Sequence, residues 1–185
     1  MRGQHGAPML LCMGRLRYYK GLHVLIEALP GLPGVTLVVA GSGPMGADWQ
    51  TLAQSLGVGA RVHFIGDVSD DDQPALYQAA DLYVLPATHR SEAFGVALVE
   101  ALACGTPAVT TEVGTGTSYV NQDGVTGVIV PPSDPPALAA AIRALLADDA
   151  RRHRMGEAAR ARAIAEFDRA TMLTRVMAVY ADALG

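Results

Sequence analysis

Short apolar runs alternate along the chain with longer stretches in which apolar residues recur at helical spacing. The short runs are rich in β-branched residues and predict strands at residues 8–13, 35–40, 61–65, 81–85, 106–110 and 127–130. The longer stretches predict helices at residues 21–29, 45–56, 72–80 and 95–103, then a wholly helical end at 136–147, 149–166 and 169–184. Near-continuous apolar strands that alternate with helices form parallel sheets covered on both faces. The pattern therefore predicts an α/β fold, a doubly wound parallel sheet of about six strands with extra C-terminal helices.

Glycine-rich and polar segments follow five of the predicted strands at their carboxyl ends. These segments are residues 14–15, 41–43, 66–67, 86–92 and 112–117. Open parallel sheets bind ligands outside the carboxyl ends of their strands. The arrangement therefore predicts one ligand cleft built from several loops.

Composition limits the class of protein. The chain of 185 residues is half hydrophobic, which is enough for one solid core and predicts a single domain over residues 1–185. No apolar run approaches the roughly 18 residues of a membrane span, and the net charge of −4 argues against a nucleic-acid partner. Cys12 and Cys104 lie in apolar stretches without a CxxC pattern, so we expect reduced cysteines and a cytoplasmic location.

A GxGxxG pattern occurs in AGSGPMG, residues 40–46, and Asp67 follows about twenty residues later. One interpretation is a dinucleotide site, which would make the chain an NAD(P)-binding oxidoreductase domain. However, the dinucleotide pattern normally lies on the first strand–helix turn, and this one lies on the second. Two alternatives stay open: a phosphate contact, and a tight turn in which Pro44 is the first residue of a helix.

The segment GRLRYYKG, residues 14–21, carries cations next to the same cleft. Thirteen of the fourteen basic residues are arginine, so Lys20 is the only lysine in the chain. A forked guanidinium on Arg15 and a compact ammonium on Lys20 would suit a diphosphate. The alternative is that both are solvated surface charges, which is our interpretation of Arg17.

The segment SEAFGVALVEALACG, residues 91–105, contains two carboxylates, Glu92 just ahead of its apolar run and Glu100 inside that run. Glu100 has only Val, Ala and Leu around it from residue 96 to 103, which predicts a helix buried on all sides and a carboxylate that needs a partner. Gly95 opens this helix, so the amides of Phe94, Gly95 and Val96 would form an anion site. Glu100 lies in the second turn, where the two hydroxyls of a ribose could reach it, and Glu92 lies in the loop above.

These segments together resemble one known family. Gly14-Arg15, Lys20-Gly21, the segment GSGP at residues 41–44 and SEAFGVALVEALACGTPAV resemble the donor-binding domain of GT-B retaining glycosyltransferases, the group 1 branch with an E-x7-E motif. The resemblance extends over residues 10–184. It implies a Rossmann-like domain that is one half of a GT-B fold, with the N-terminal acceptor-binding domain absent. On this view the chain is a glycosyltransferase of hexosyltransferase type that is incomplete and inactive alone.

The resemblance also implies roles for individual residues. Arg15 and Lys20 would bind the donor diphosphate and stabilise the departing nucleotide without a metal or other cofactor, and Glu92 would contact the transferred sugar. Glu100 would bind the ribose. The full set of implied donor-binding residues is Gly14, Gly41, Gly43, Gly66, Asp67, Val68, Phe94, Gly95, Val96 and Glu100.

The resemblance also leads to expectations about substrates and partners. We expect a GDP- or UDP-linked hexose as donor and a glycan or lipid-linked acceptor. After the fifth strand the family often has Gly-Gly-apolar-Pro-Glu, whereas this chain has VGTGTSYV, so the sugar stays open. Peripheral contact with an anionic membrane through the arginines near residues 151–162, and weak self-association through an apolar stripe on the last helix, are further expectations. A second alternative for the function of the chain is a noncatalytic nucleotide-binding half that works with a partner chain.

Overall fold

The computed structural model describes residues 8–184, so the first seven residues and the last one lie outside the description. The strands are β1 (Met9–Met13), β2 (Thr36–Ala40), β3 (Val62–Gly66), β4 (Leu82–Leu85), β5 (Ala108–Thr111) and β6 (Gly127–Val130). The helices are α1 (Leu22–Ala28), α2 (Gly46–Ser55), α3 (Gln73–Ala79), α4 (Val96–Ala103), α5 (Thr117–Val120), α6 (Pro135–Leu146), α7 (Asp149–Phe167) and α8 (Arg169–Leu184). Single 3₁₀ turns lie at Tyr18–Lys20, Leu29–Gly31 and Gly59–Arg61.

The six strands form one sheet in the order β3-β2-β1-β4-β5-β6, and every pair is parallel. The predicted fold class and the six predicted strands are confirmed. The strand order changes direction between β1 and β4, which makes the gap between these two strands the topological switch point. In open parallel sheets this is where a ligand binds.

Two apolar cores cover the two faces of the sheet. Helices α1, α2 and α6 supply the first core, and α3, α4 and α7 supply the second. The central strand β4 is buried at every position, because helices cover it on both faces. Within residues 8–184 no helix is both long and apolar enough to cross a bilayer.

Two helix starts and one unpredicted helix differ from the sequence-based prediction in informative ways. Helix α2 begins at Gly46 rather than at residue 45, so Pro44 lies outside it, and the short α5 was not predicted. Asp134 caps α6, since its carboxylate accepts from the Ala137 amide at 2.9 Å, and the helix begins at Pro135, one residue before the predicted start at residue 136. The last helix, α8, contains no buried residue.

Candidate functional site

The loop after β1 is joined to the loop after β2 by backbone hydrogen bonds. The Gly14 amide donates to the Ala40 carbonyl at 3.0 Å, and the Leu16 amide donates to the Ser42 carbonyl at 2.8 Å. Gly41 has a φ of +116°, and a Cβ there would lie 2.2 Å from the Gly14 carbonyl oxygen. Glycine is therefore required at position 41 by close backbone approach as well as by conformation.

These two loops and the end of β3 enclose a cavity of about 360 Å³. It is lined by Met13, Gly14, Arg15, Ala40, Gly41, Ser42, Asp67, Val68 and Gln73. The Ser42 hydroxyl donates to Asp67 Oδ2 at 2.9 Å across its mouth. Five of the predicted site residues thus line one space.

Two further predicted glycines support the cavity from outside its lining. A Cβ at Gly43 would lie 2.6 Å from the Leu16 carbonyl oxygen, so this glycine permits the packing of the two loops. Gly66 ends β3 with a φ of +73°, and its carbonyl accepts from the Gly41 amide at 2.7 Å. A role of either glycine in binding a donor stays a prediction.

Lys20 and Glu92 meet at the switch point. The Lys20 Nζ lies 2.5 Å from Glu92 Oε2, and the two side chains are 18% and 7% exposed. Lys20 belongs to the loop after β1 and Glu92 to the loop after β4, and the Thr88 amide binds the Tyr19 carbonyl between these loops at 2.9 Å. The structure therefore places the predicted phosphate cation directly against the predicted sugar-binding carboxylate.

The ion pair lies above a buried thiol. Burial raises the pKa of Cys12 to about 12, the positive charge of Lys20 acts in the opposite direction, and Glu92 adds to the increase. Cys12 is consequently a neutral core residue under the site. The groups at the switch point that can contact a ligand are therefore Lys20 and Glu92 and not the Cys12 thiol.

Arg15 differs from Lys20 in having no partner. It is exposed at the cavity, and its guanidinium makes no hydrogen bond or ion pair with any other residue from 8 to 184. A planar cation held beside a cavity and free of carboxylates can bind an anion bidentately.

The N-terminus of α4 presents unpaired backbone amides next to the loop after β4. Gly95 is the N-cap, with a φ of +83°, and the amides of Phe94, Gly95 and Val96 donate to no acceptor among residues 8–184. Unpaired amides at the start of an eight-residue helix attract negative charge. The structure thus agrees with the geometry predicted for this segment.

The prediction that α4 is buried on all sides is wrong. Val96 is 66% exposed, Glu100 is half-buried, and the buried residues of the helix are Leu98, Ala101 and Leu102. The reason is that α4 packs on the sheet and α7 with one side while its other side lines an open groove next to α8. Glu100 nevertheless has a partner, since the Tyr77 hydroxyl donates to Glu100 Oε2 at 2.8 Å.

The loop after β5 holds the backbone next to Glu92. The Thr115 hydroxyl donates to the Glu92 carbonyl at 2.7 Å, and the Gly116 amide donates to the Ala93 carbonyl at 2.8 Å. Glu112 accepts from the Gly114 amide of its own loop and from the Ser118 hydroxyl of α5, so both of its oxygens have a local partner. Sequence reasoning missed Tyr77 and Thr115, because nothing in their local pattern indicates what they contact across the fold.

A second cavity, of about 630 Å³, lies beside the first on the other side of the β1 loop. Arg17, Tyr18, His23 and His89 contribute to its lining. Tyr18 stacks on His23 with ring centroids 4.7 Å apart, and burial lowers the pKa of His23 against an opposing effect of Glu27. His89 is held by Ser91 at 2.8 Å.

Comparison with known proteins decides the family. The model of the family "Glycosyl transferases group 1" matches residues 3–162. The chain belongs to the group 1 glycosyl transferases. The E-x7-E motif and the stereochemical course are separate matters that the family match leaves as predictions.

Two curated relatives and one solved structure show what this group 1 domain is similar to. The D-rhamnosyltransferase WbpZ of Pseudomonas aeruginosa is 44% identical over 161 residues, which are 87% of this chain and 42% of the relative. The O-antigen chain mannosyltransferase C of Escherichia coli is 39% identical over 157 residues, covering 85% and 42%. The structure of Anabaena HepE in complex with UDP-glucose is 29% identical with a TM-score of 0.87, covering 94% and 48%.

The group 1 domain spans less than half the length of these relatives. The similarity makes it a glycosyltransferase domain with the Rossmann-like architecture expected from the sequence. The oxidoreductase interpretation of the GxGxxG pattern loses its support. The pattern serves instead to bring two loops into contact, and Gly41 also lines the cavity.

Proposed function

We propose that this chain binds the nucleotide diphosphate sugar in a retaining glycosyltransferase that transfers a hexose, such as mannose, to a glycan or lipid-linked acceptor. The observation that carries the proposal is the Lys20–Glu92 ion pair at the switch point, with Arg15 beside the cavity on the same β1 loop and the free amides of α4 at the end of the loop after β4. A nucleotide sugar presents a base, a diol, a diphosphate and a hexose in that order. In the same order, the site offers a cavity for the base, Glu100 for the diol, cations and free amides for the diphosphate, and Glu92 for the hexose.

Each part of the donor has a matching contact in this proposal. The base occupies the cavity beside Gly66, Asp67 and Val68, and the ribose hydroxyls donate to Glu100. Arg15, Lys20 and the amides at the start of α4 bind the diphosphate. The hexose lies at Glu92, which Lys20 holds in place.

The proposed transfer keeps the incoming and leaving groups on one face of the sugar. The acceptor hydroxyl oxygen attacks the anomeric carbon while the bond from that carbon to the β-phosphate oxygen breaks. The leaving diphosphate takes the bonding electrons and receives the acceptor proton. Negative charge therefore grows on the phosphate, and fixed cations there stabilise the transition state more than the ground state. No step requires a metal ion.

Binding without a metal is the first test. Calorimetric titration with GDP, UDP, ADP and NAD should show one nucleoside diphosphate binding, with loss of affinity in Glu100→Gln and in Arg15→Ala. Binding of NAD alone, or equal affinity in the parent and both variants, would refute the site assignment.

Catalysis needs the whole protein. We propose that an acceptor-binding half completes the active site, and that the isolated chain binds donor without transferring sugar. Transfer by the full-length protein, abolished by Lys20→Ala, would separate an enzyme from a noncatalytic nucleotide-binding half. A full-length protein that binds donor and transfers nothing to any glycan or lipid-linked acceptor would favour the noncatalytic alternative.

A further inference from the structure

Tyr77 is a buried tyrosine fixed on several sides. It lies on α3 and is 1% exposed. Its ring packs edge-on against Tyr83 with centroids 5.9 Å apart, and its carbonyl accepts from the Thr106 hydroxyl at 2.7 Å. A ring held in this way has little freedom, so the position of its hydroxyl is set by the fold.

That hydroxyl has one proton, and it goes to Glu100 Oε2 at 2.8 Å. Among residues 8–184 Glu100 has no other side-chain hydrogen bond or ion pair. A carboxylate offers about four acceptor positions on two oxygens. Tyr77 therefore uses one position and leaves Oε1 and part of Oε2 free on the half-buried side chain.

Tyr77 keeps its phenol proton. Burial raises the pKa of Tyr77 far above its usual value, and its hydrogen bond to Glu100 raises it further. The phenol is therefore a neutral donor, and its bond to an ionised acceptor is charge-assisted.

A free glutamate side chain is flexible and must be ordered before it can bind a diol. Ordering such a side chain on binding reduces affinity, and a bond already made in the unliganded protein removes part of that cost. The direction of the carboxylate matters as well, because two vicinal hydroxyls need two oxygens turned towards them.

We propose that Tyr77 is a positioning residue for the ribose: it fixes Glu100 so that the remaining carboxylate positions face the 2′- and 3′-hydroxyls of the donor. This inference rests on the proposed role of Glu100 in nucleotide binding. It assigns to α3, which contributes no residue to the sites predicted from sequence, a part in the choice of ribonucleotides over deoxyribonucleotides.

Tyr77→Phe removes the hydroxyl and keeps the ring. Glu100 is half-buried, so water can replace the lost donor and the variant should fold. Tyr83→Phe is the matched control, because Tyr83 is also fully buried and its hydroxyl donates to the Met13 carbonyl at 3.3 Å rather than to Glu100. Thermal melting of both variants reports their folding.

The readout is the ratio of two dissociation constants, for the 2′-deoxy form and the ribo form of whichever of GDP or UDP binds the parent chain. Loss of a hydrogen bond to a charged acceptor predicts a parent ratio of roughly tenfold. Tyr77→Phe should lower this ratio to about threefold or less while binding of the deoxy form changes little. Tyr83→Phe should keep the parent ratio. In a Glu100→Gln background, Tyr77→Phe should have no further effect.

Each other outcome overturns a specific step. A tenfold ratio retained in Tyr77→Phe, or equal losses for both nucleotides, would make Tyr77 a structural residue and refute the inference. A further effect of Tyr77→Phe in the Glu100→Gln background would show that Tyr77 does not act through Glu100. A parent ratio near one, or one that Glu100→Gln leaves unchanged, would refute the proposed ribose contact itself and the inference with it.

Discussion

Replacement of Lys20 by methionine should destabilise the fold, apart from any effect on ligand binding. Lys20 and Glu92 form an ion pair of 2.5 Å with little exposure of either side chain. Removing one partner of a buried pair costs about 3–5 kcal/mol, whereas an exposed pair contributes about 0–1 kcal/mol. Glu92 is the more buried partner and would lose the charge that compensates its carboxylate. Since Lys20 retains some exposure, we expect a loss of about 3 kcal/mol in the free energy of unfolding, at the lower end of the buried range.

Urea unfolding measures this loss directly. The single tryptophan, Trp49, is buried in the first core, so its fluorescence follows global unfolding. For a domain of this size, about 3 kcal/mol corresponds to a decrease in melting temperature of roughly 6–12 °C. Arg15→Met removes a cation that has no hydrogen-bond or ion-pair partner among residues 8–184, so we expect a change within about 0.5 kcal/mol.

Glu92→Gln in the Lys20→Met background separates charge from packing. The amide carries no charge, so this second change should restore most of the lost stability. A single variant that unfolds within about 1 kcal/mol of the parent, or a double variant that regains nothing, would refute the description of this pair as buried and charge-compensated.

Four further outcomes follow from the structure. Gly41→Ala should melt lower than Gly34→Ala, because both have positive φ but only the Cβ at position 41 meets backbone, at 2.2 Å; equal melting would contradict the loop packing. Arg61→Lys should lose about 2 kcal/mol in urea unfolding, since one ammonium cannot replace a guanidinium that binds the carbonyls of residues 29, 32 and 35; no loss would contradict this. The lowered pKa of His23 means that the unfolded chain binds its proton first, so stability should fall as pH decreases from about 6.5, and less in His23→Leu. The exposed apolar side chains of α8 should produce self-association in ultracentrifugation, which a strictly monomeric chain at high concentration would contradict.

The fold could be predicted from the sequence because its signals are local and repeated. A strand buried on both faces is a short apolar run, and five of the six runs are followed by a glycine-rich or polar segment where the chain turns. The four-residue α5 escaped prediction because it is too short to show a helical period. The burial of α4 was overestimated, because the composition of a helix cannot tell which of its sides a neighbour covers.

The contacts within the site depend on topology and could not be predicted. Lys20 and Glu92 are far apart in sequence and meet only because β1 and β4 are neighbours in the sheet. The bond between Tyr77 and Glu100 likewise needs α3 and α4 on the same face. The excess of arginine has a structural explanation that the sequence concealed: the guanidinium groups of Arg61 and Arg162, among others, donate to backbone carbonyls.

The pairing of Lys20 also bears on how such a site would favour a transition state. With the positive charge of Lys20 compensated by Glu92, Arg15 and the α4 amides are the attractive groups that a bound diphosphate meets uncompensated among the described residues. Ground-state affinity should therefore be modest, sensitive to salt and dependent mainly on Arg15. As the sugar–phosphate bond breaks, negative charge grows on the phosphate and positive charge on the sugar. Lys20 can then bind the phosphate more strongly while Glu92 faces the cationic sugar, so the two halves of the ion pair gain separate partners only in the transition state.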